Sequence, residues 1–249
     1  MCFPGQSSLS VYVRVNPWPF RKGHMTGPLA EVLVAGAAAL GVPLAAGEVE
    51  TLLAYVRLLE KWSRAYNLTA VAGLEAMVVL HLLDSLAIGP YLRGDRCLDV
   101  ATGAGLPGLV LAVADPGRRW TLIDSSGKKT RFCRQAVIEL GLTTVEVVQA
   151  RVEDFQPERR FDSVTARAWG RLDEVLGKVT RLVRPGGRIL LMKGVHPAAE
   201  LADLTHPPGT VSVHRLEVPG LAAARHLVVV EVDAAAGPDR SRGLAAGSP

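Results

Sequence analysis

The sequence predicts an α/β fold: a mostly parallel, seven-stranded sheet with helices on both faces, closed by a terminal antiparallel hairpin and preceded by a helical cap. Three observations predict it. After Arg93, short apolar runs of strand length alternate with amphipathic helical stretches, the pattern of a parallel sheet covered on both faces. The first of those strands, Leu98-Asp99-Val100-Ala101, runs directly into the glycine-rich turn Thr102 to Gly108 and then into an apolar helix. The last two strands have no long helix between them, so they pair as a hairpin rather than continue in parallel.

The elements follow in order. Residues 1–25 contain Pro4, Gly5, Pro17 and Pro19, keep no period, and lack the basic start, apolar middle and small-residue cleavage site of a secretory signal. Met25 is expected to be the natural start, because Arg21-Lys22-Gly23 can be encoded by a purine-rich stretch like a bacterial ribosome-binding site. Residues 26–91 read as the helical cap. Leu29, Val32, Leu33 and Leu40 mark one helix, ended by Gly41 and Pro43; Leu52, Leu53, Val56, Leu59 and Trp62 mark a second, ending near Asn67. Leu74, Met77, Val78, His81, Leu82 and Ser85 lie along a third. Residues 92–232 read as the sheet domain. Strands are expected at 96–101, 120–124, 145–149, 163–167, 188–193, 211–216 and 226–232, and helices at 107–114, 127–140, 172–182 and 197–204. Residues 233–249, small, polar and rich in Gly and Pro, read as a flexible tail.

Bulk properties narrow the function. The chain has 249 residues, 49% of them hydrophobic, and a formal net charge of +4, mildly basic and compatible with a nucleic-acid partner. No apolar run is read as approaching the length of a membrane span, so a cytoplasmic protein with no membrane partner is expected. The three cysteines, Cys2, Cys97 and Cys133, are odd in number and without C-x-x-C or zinc spacing. Cys97 and Cys133 read as small buried hydrophobes, and neither has the Pro-Cys context of a methyltransferase nucleophile. His81 and Asp84 share a helix face, either capping a site or joining two helices, with no companion cluster to make a metal site. There is no Ser/His/Asp set and no P-loop.

The chemistry gathers where strands end. Gly103-Ala104-Gly105-Leu106-Pro107-Gly108 fits the dinucleotide fingerprint, whose glycines let a ligand approach the backbone and whose helix start attracts negative charge. Asp99, just before the turn, points instead to the acid–glycine arrangement of class I S-adenosylmethionine-dependent methyltransferases, ranked above a plain βα turn and above a dehydrogenase. Asp124 ends the second strand, where a carboxylate can accept hydrogen bonds from both ribose hydroxyls of a nucleoside cofactor; it can also cap the helix that follows. After the third strand, Val152 offers apolar contact to an adenine and Glu153 or Asp154 polar contact, the alternative being a charged loop. Arg167 ends the fourth strand, placed for a cofactor carboxylate, an RNA phosphate or a target base. Lys128, Lys129, Arg131 and Arg134 face outward from one helix, as a phosphate-neutralising patch or as a solvated face.

Read together, Asn67-Leu68-Thr69-Ala70, His81-Leu82-Leu83-Asp84-Ser85-Leu86, Asp99 to Gly108, Leu122-Ile123-Asp124-Ser125 with Lys128-Lys129, Arg167-Ala168, Met192-Lys193-Gly194 and Arg225-His226-Leu227-Val228-Val229 form an ordered series. Over about Pro28 to Glu231 it resembles the RsmG (GidB) family of bacterial methyltransferases, which methylate guanine N7 in the 530 loop of 16S ribosomal RNA. The resemblance implies a class I fold and S-adenosylmethionine held at the positions matching Ala101, Leu106, Val152, Glu153 and Arg167, with Gly103, Gly105 and Asp124 completing the cofactor site. It implies 16S rRNA or the small ribosomal subunit as partner, met by Lys128, Lys129 and Arg131, with Trp169, Arg167 and Lys193 as candidates to contact the base. Guanine N7 carries an exposed lone pair, so no general base and no covalent cysteine are expected, and Arg167 is the candidate positioning residue. Nothing in the sequence demands a dimer. One departure stands out: the family usually has Gly where this chain has Ala101, a change costing about 1 kcal/mol where φ is positive.

Overall fold

The computed structural model describes residues 27–234; the expectations for residues 1–25, for a start at Met25, for Cys2 and for all but the first two residues of the tail lie outside the described residues. α1 (Pro28–Ala39) starts on a proline, whose missing N–H is no loss there, and gives way to Gly41 at φ 72°. α2 (Ala46–Tyr66) opens with the Ala45 N–H donating to Glu48 Oε2 at 2.7 Å and ends on Asn67 in the left-handed region, φ 49°. The third helical stretch is not one uniform α-helix. α3 (Leu74–Met77) widens into a π-helical stretch (Val78–Leu83) before α4 (Asp84–Leu86). The wide turn lies where His81 Nδ1 and Arg167 Nη1 both reach the Leu80 carbonyl, the second a contact across the fold that a periodicity does not announce.

The stretch Leu74–Tyr91 corrects one reading: its 18 residues have a mean hydropathy of 1.3, long and apolar enough for a membrane span by length and composition. Here it is core. Met77, Val78, Leu82, Leu83, Leu86 and Ile88 are buried against the rest of the protein, which accounts for the high hydropathy of the stretch.

Seven strands form one sheet: β1 (Arg96–Val100), β2 (Arg119–Asp124), β3 (Val145–Gln149), β4 (Phe161–Arg167), β5 (Val183–Lys193), β6 (Gly209–Arg215) and β7 (His226–Val232). The spatial order is β3-β2-β1-β4-β5-β7-β6. The first five are parallel, and β7 runs antiparallel to both β5 and β6, giving the expected sheet with its terminal hairpin. Alternate residues bury on opposite faces. Leu190 and Met192 of β5 join the core built with α1, α2, α5 (Gly108–Ala114) and α6 (Gly127–Leu140), while Ile189 and Leu191 join the core beneath α7 (Leu172–Val179). The cap helices therefore share a core with α5 and α6.

Some boundaries move. Pro107 precedes α5, and the Leu106–Pro107 peptide is cis. The helix expected at 172–182 is α only to Val179, followed by a 3-10 turn (Thr180–Leu182). The helix expected at 197–204 shortens to α8 (Ala198–Ala202). β5 begins at Val183 rather than 188, because Pro185, Gly186 and Gly187 continue the strand across a register shift between Phe161 and Ser163. A Cβ on Gly187 would sit 2.8 Å from the Asp162 carbonyl oxygen, so only glycine fits there.

Candidate active site

β1 lies between β2 and β4, where the strand order reverses, a switch point whose carboxyl edge is where open parallel sheets bind ligands. The register aligns Val100 with Ile123 and with Ala166, so Ala101, Asp124 and Arg167 rise along one edge.

Asp99 is fully buried, beneath the glycine turn. Its Oδ2 accepts from the Thr102 hydroxyl and, at 3.0 Å, from the Gly108 N–H; Oδ1 accepts from the Thr165 hydroxyl at 2.9 Å. Its work is to tie the glycine turn to the start of α5 and to β4. Burial pushes its carboxyl up to about 6, against the pull of those donors. A Cβ on Gly108 would lie 2.3 Å from Leu122 and 2.9 Å from Asp99, so the third glycine of the motif serves close helix–strand packing. Further braces come from the buried Tyr55 hydroxyl, which donates to the Ala104 carbonyl at 2.8 Å, and from Cys133 Sγ, 3.4 Å from the Gly103 carbonyl.

A cleft with two lobes opens above this turn, of about 290 Å³ and about 250 Å³, sharing Ala101, Lys129 and Trp169. The first lobe is lined by Asp124, Val152 and Glu153 with Ser125, Arg151 and Lys178. Asp124 accepts the Gly103 N–H at 3.0 Å through Oδ2 and the Ser126 N–H at 2.8 Å through Oδ1, so it braces the turn into α6 while its carboxylate borders the cleft. Lys129 Nζ stands 3.6 Å away, leaning into the cleft, whereas Lys128, Arg131 and Arg134 are exposed on the outer face of α6 as expected. Glu153 is exposed and pairs with Lys178 Nζ at 2.9 Å, which holds its carboxyl below the usual range. Arg181 donates to the carbonyls of Val152, Glu153 and Phe155 and pins this loop from below.

The second lobe is lined by Leu68 and Thr69 from the cap, by Gly103 and Leu106 from the turn, and by Arg167 and Trp169 from the end of β4. Gly105 lines neither lobe; it turns the chain at φ 87°. All three non-glycine residues with positive φ among the described residues border this lobe or adjoin its wall: Ala101 at 53°, Ala168 at 50° and Asn67 at 49°, next to Leu68. Behind the wall, the Thr69 hydroxyl and His81 Nε2 are 2.9 Å apart. His81 Nδ1 lies 3.0 Å from the Leu80 carbonyl, so the ring is the Nδ1–H tautomer and Thr69 donates to Nε2. Burial first, and the Arg167 charge second, lower His81 to about 4, so the ring is neutral. Arg167 Nη1 donates to the Leu80 carbonyl at 3.2 Å and to Asp84 Oδ2 at 3.4 Å. His81 and Asp84 thus stand behind the site and, instead of joining two helices, tie this helical stretch to the loop at Thr69, to the end of β4 at Arg167 and to Arg225 just before β7.

One residue singled out in the sequence lies apart from the cleft. Lys193 lines neither lobe: its ammonium is taken by Glu200, at 2.8 and 3.1 Å, and by the Gly170 carbonyl at 3.0 Å, which fixes the loop carrying Trp169. Lys178 Nζ lies 5.6 Å from the centre of the Trp169 ring, holding it over the junction of the lobes. Leu68, Thr69, Lys178 and Arg181 went unassigned from sequence; Leu68 and Thr69 stood in a quoted motif, and the other two carried no local signal. Both buried thiols are held as thiols, Cys97 pushed up by burial to about 12 and Cys133 raised likewise. Among the described residues no cluster of three or more His, Cys, Asp or Glu could hold a metal.

Comparison with known proteins agrees with this geometry. The family model described as rRNA small subunit methyltransferase G (GidB) matches residues 48–228. The ribosomal RNA small subunit methyltransferase G of Alkalilimnicola ehrlichii is 48% identical over 201 residues, covering 81% of this chain and 91% of that protein. Its counterpart in Methylococcus capsulatus is 50% identical over 197 residues, 79% of this chain and 95% of that protein, and that of Laribacter hongkongensis 49% over 200 residues, 80% and 97%. With the strand order, the braced glycine turn and the two-lobed cleft in place, the chain belongs to the rRNA small subunit methyltransferase G (GidB) family of S-adenosylmethionine-dependent methyltransferases with the class I fold.

Proposed function

We propose that this chain methylates N7 of a guanine in the 530 loop of 16S rRNA, acting as a monomer in the cytoplasm on rRNA or the small ribosomal subunit, with no membrane partner. The donor, S-adenosylmethionine, supplies a methyl group already activated on a sulfonium. The residues of the first lobe fit it: Asp124 offers carboxyl oxygens at the edge of the cleft to ribose hydroxyls, and Val152 an apolar wall for adenine beside Glu153. The glycine turn and Leu106 form the floor of the second lobe, where Arg167 and Lys129 offer positive charge to the amino-acid end of the donor.

One observation carries the acceptor. The described residues lining the second lobe include Thr69, Lys129, Arg167 and Trp169 but no carboxylate and no imidazole. A lobe of that kind suits a nitrogen that attacks with its own lone pair, since no proton has to be removed before transfer. The residues then act by alignment: Trp169 stacks on an unpaired base, Arg167 opposes negative charge, and Leu68 with Leu106 keeps water out. The exposed cations Lys128 and Arg131 on α6 neutralise phosphates outside the cleft.

The test is to map N7-methylguanine in 16S rRNA from cells with and without the gene, and to incubate purified chain with small subunits and S-adenosylmethionine. Loss of one N7-methylguanine in the 530 loop, restored by the purified chain, is the expected result. Unchanged 16S rRNA, with methyl transfer to another RNA, a protein or a small molecule, would overturn the acceptor and leave the methyltransferase standing.

A further inference from the structure

Three elements far apart in the chain converge on one buried carboxylate. Asp84, at the start of α4, is 3% exposed. Its Oδ2 lies 3.4 Å from Arg167 Nη1, at the end of β4, and its Oδ1 accepts from Arg225 Nε at 2.9 Å, just before β7. The two arginines are 21–23% exposed at their side chains. A buried carboxylate needs a cation, and either arginine alone would neutralise it. With both present the cluster carries net positive charge beside the second lobe.

The geometry of Arg167 gives that surplus a direction. A guanidinium has five N–H donors, and the bonds of Arg167 to Leu80 and Asp84 both use Nη1. The remaining donors stay available to a ligand in the lobe that Arg167 lines. Arg225 meanwhile holds Oδ1 from the other side, which opposes a swing of Asp84 into a two-toothed clasp on Arg167 that would use up those donors.

We propose that Asp84 is a positioning residue for methyl transfer: clamped by Arg225, it fixes the guanidinium of Arg167 by one edge so that the other edge meets the anionic end of the methyl donor. This rests on the reading that Arg167 touches the donor. Asp84 itself touches neither donor nor RNA, and its effect passes through Arg167.

The experiment is a double-mutant cycle on the full chain, read by calorimetry with S-adenosylhomocysteine and by initial rates against S-adenosylmethionine. Asp84→Asn is expected to weaken product binding about tenfold and to raise KM for the donor by a similar factor, with kcat at saturating donor changed less than threefold. Asp84→Glu, which keeps the charge, recovers most of the binding. In an Arg167→Ala background, Asp84→Asn should cause no further loss of affinity. An equal loss in both backgrounds would overturn the proposal, because a merely structural carboxylate acts whether or not Arg167 is present. Should Asp84→Asn fail to fold, Arg225→Gln, which removes the clamp on Oδ1, is run through the same cycle, and an equal loss in both backgrounds overturns the proposal there too. If Arg167→Ala binds as tightly as the unaltered chain, the reading of Arg167 falls and the positioning role with it. If Arg167→Ala binds weakly while Asp84→Asn binds normally, the positioning role alone is overturned.

Discussion

The hydroxyl of Tyr55, on α2, donates to the carbonyl of Ala104, inside the glycine turn, at 2.8 Å and out of contact with water. The cap thereby holds the loop on which the cofactor rests, and a change in one is felt in the other. Tyr55→Phe keeps the ring contacts with Phe132 but leaves a buried carbonyl without its donor. Such a loss costs about 1–3 kcal/mol, which lowers the melting temperature by about 2–12 °C in a chain of this size. Calorimetry with S-adenosylhomocysteine should show weaker binding in the same variant. Unaltered affinity alongside the lowered melting point would mean the turn keeps its shape without the brace.

Ala101 sits at φ 53°, in the region L-residues with a Cβ avoid, at the point where both lobes of the cleft meet. Ala101→Gly removes the conflict between its Cβ and the backbone, worth about 1 kcal/mol, and raises the melting temperature by about 2–4 °C. Cofactor affinity should hold or tighten, because the turn no longer stores strain. A lower melting temperature would show that the alanine methyl contributes packing that outweighs its backbone cost.

Asp124 receives two backbone N–H groups, from Gly103 and Ser126, on its two oxygens. Asp124→Asn leaves one of those donors facing an amide NH2 and removes a carboxyl oxygen offered to the ribose. Hydrogen bonds to a charged group are worth about 1.5–3 kcal/mol, so S-adenosylhomocysteine should bind about 10–100-fold more weakly. Loss of stability without loss of affinity would assign Asp124 to the turn alone.

How much of this could be read in the sequence depends on how local the cause is. The strands at 145–149 and 226–232 were legible residue by residue, since apolar runs bounded by turns carry their own signal. The glycine turn was legible because Gly105 at φ 87° and Gly108 against Leu122 both need glycine for reasons the motif encodes. The start of β5 was not, because Pro185-Gly186-Gly187 reads as a turn until Asp162 is seen pressing on Gly187 from the neighbouring strand. Arg181 and the π-helical stretch were silent for the same reason: each takes its role from partners between 29 and 87 residues away. The membrane-length stretch at 74–91 is the converse case, where composition was plain and only packing shows what it covers.

His81 supplies a pH dependence whose sign is fixed by burial. Its ring titrates at about 4 in the folded chain against an ordinary 6.5, so between those values the unfolded chain binds more protons. The contribution is fully present above pH 6.5 and is lost as pH falls toward 4, to the extent of about 3 kcal/mol at 1.36 kcal/mol per pH unit. Asp99 opposes it, since its raised value of about 6 makes the folded chain the one that binds more protons between 3.8 and 6. Comparison with His81→Gln isolates the histidine, because glutamine can still pair with Thr69 and Asp99 is unchanged. The stability difference between the two proteins, from denaturant unfolding at steps from pH 7.5 to 4.5, should shift toward the variant as pH falls through 6.5. A difference independent of pH would show that His81 titrates in the folded chain as it does in the unfolded one.

Lys128 and Arg131 project from α6 while Phe132, Cys133 and Ala136 bury its other face, so these two cations can be changed without touching the core. Each phosphate neutralised on RNA contributes about one unit to the slope of log affinity against log salt. Lys128→Gln with Arg131→Gln should therefore raise KM for small subunits and flatten that slope by up to about two units, with S-adenosylhomocysteine binding unaltered. The two readouts separate the outer face from the cleft, since Lys129, one residue on, leans toward Asp124 and lines both lobes. If the double variant keeps its salt slope and its KM, the RNA lies on another face, and Lys129 with Trp169 would have to meet it without help from α6.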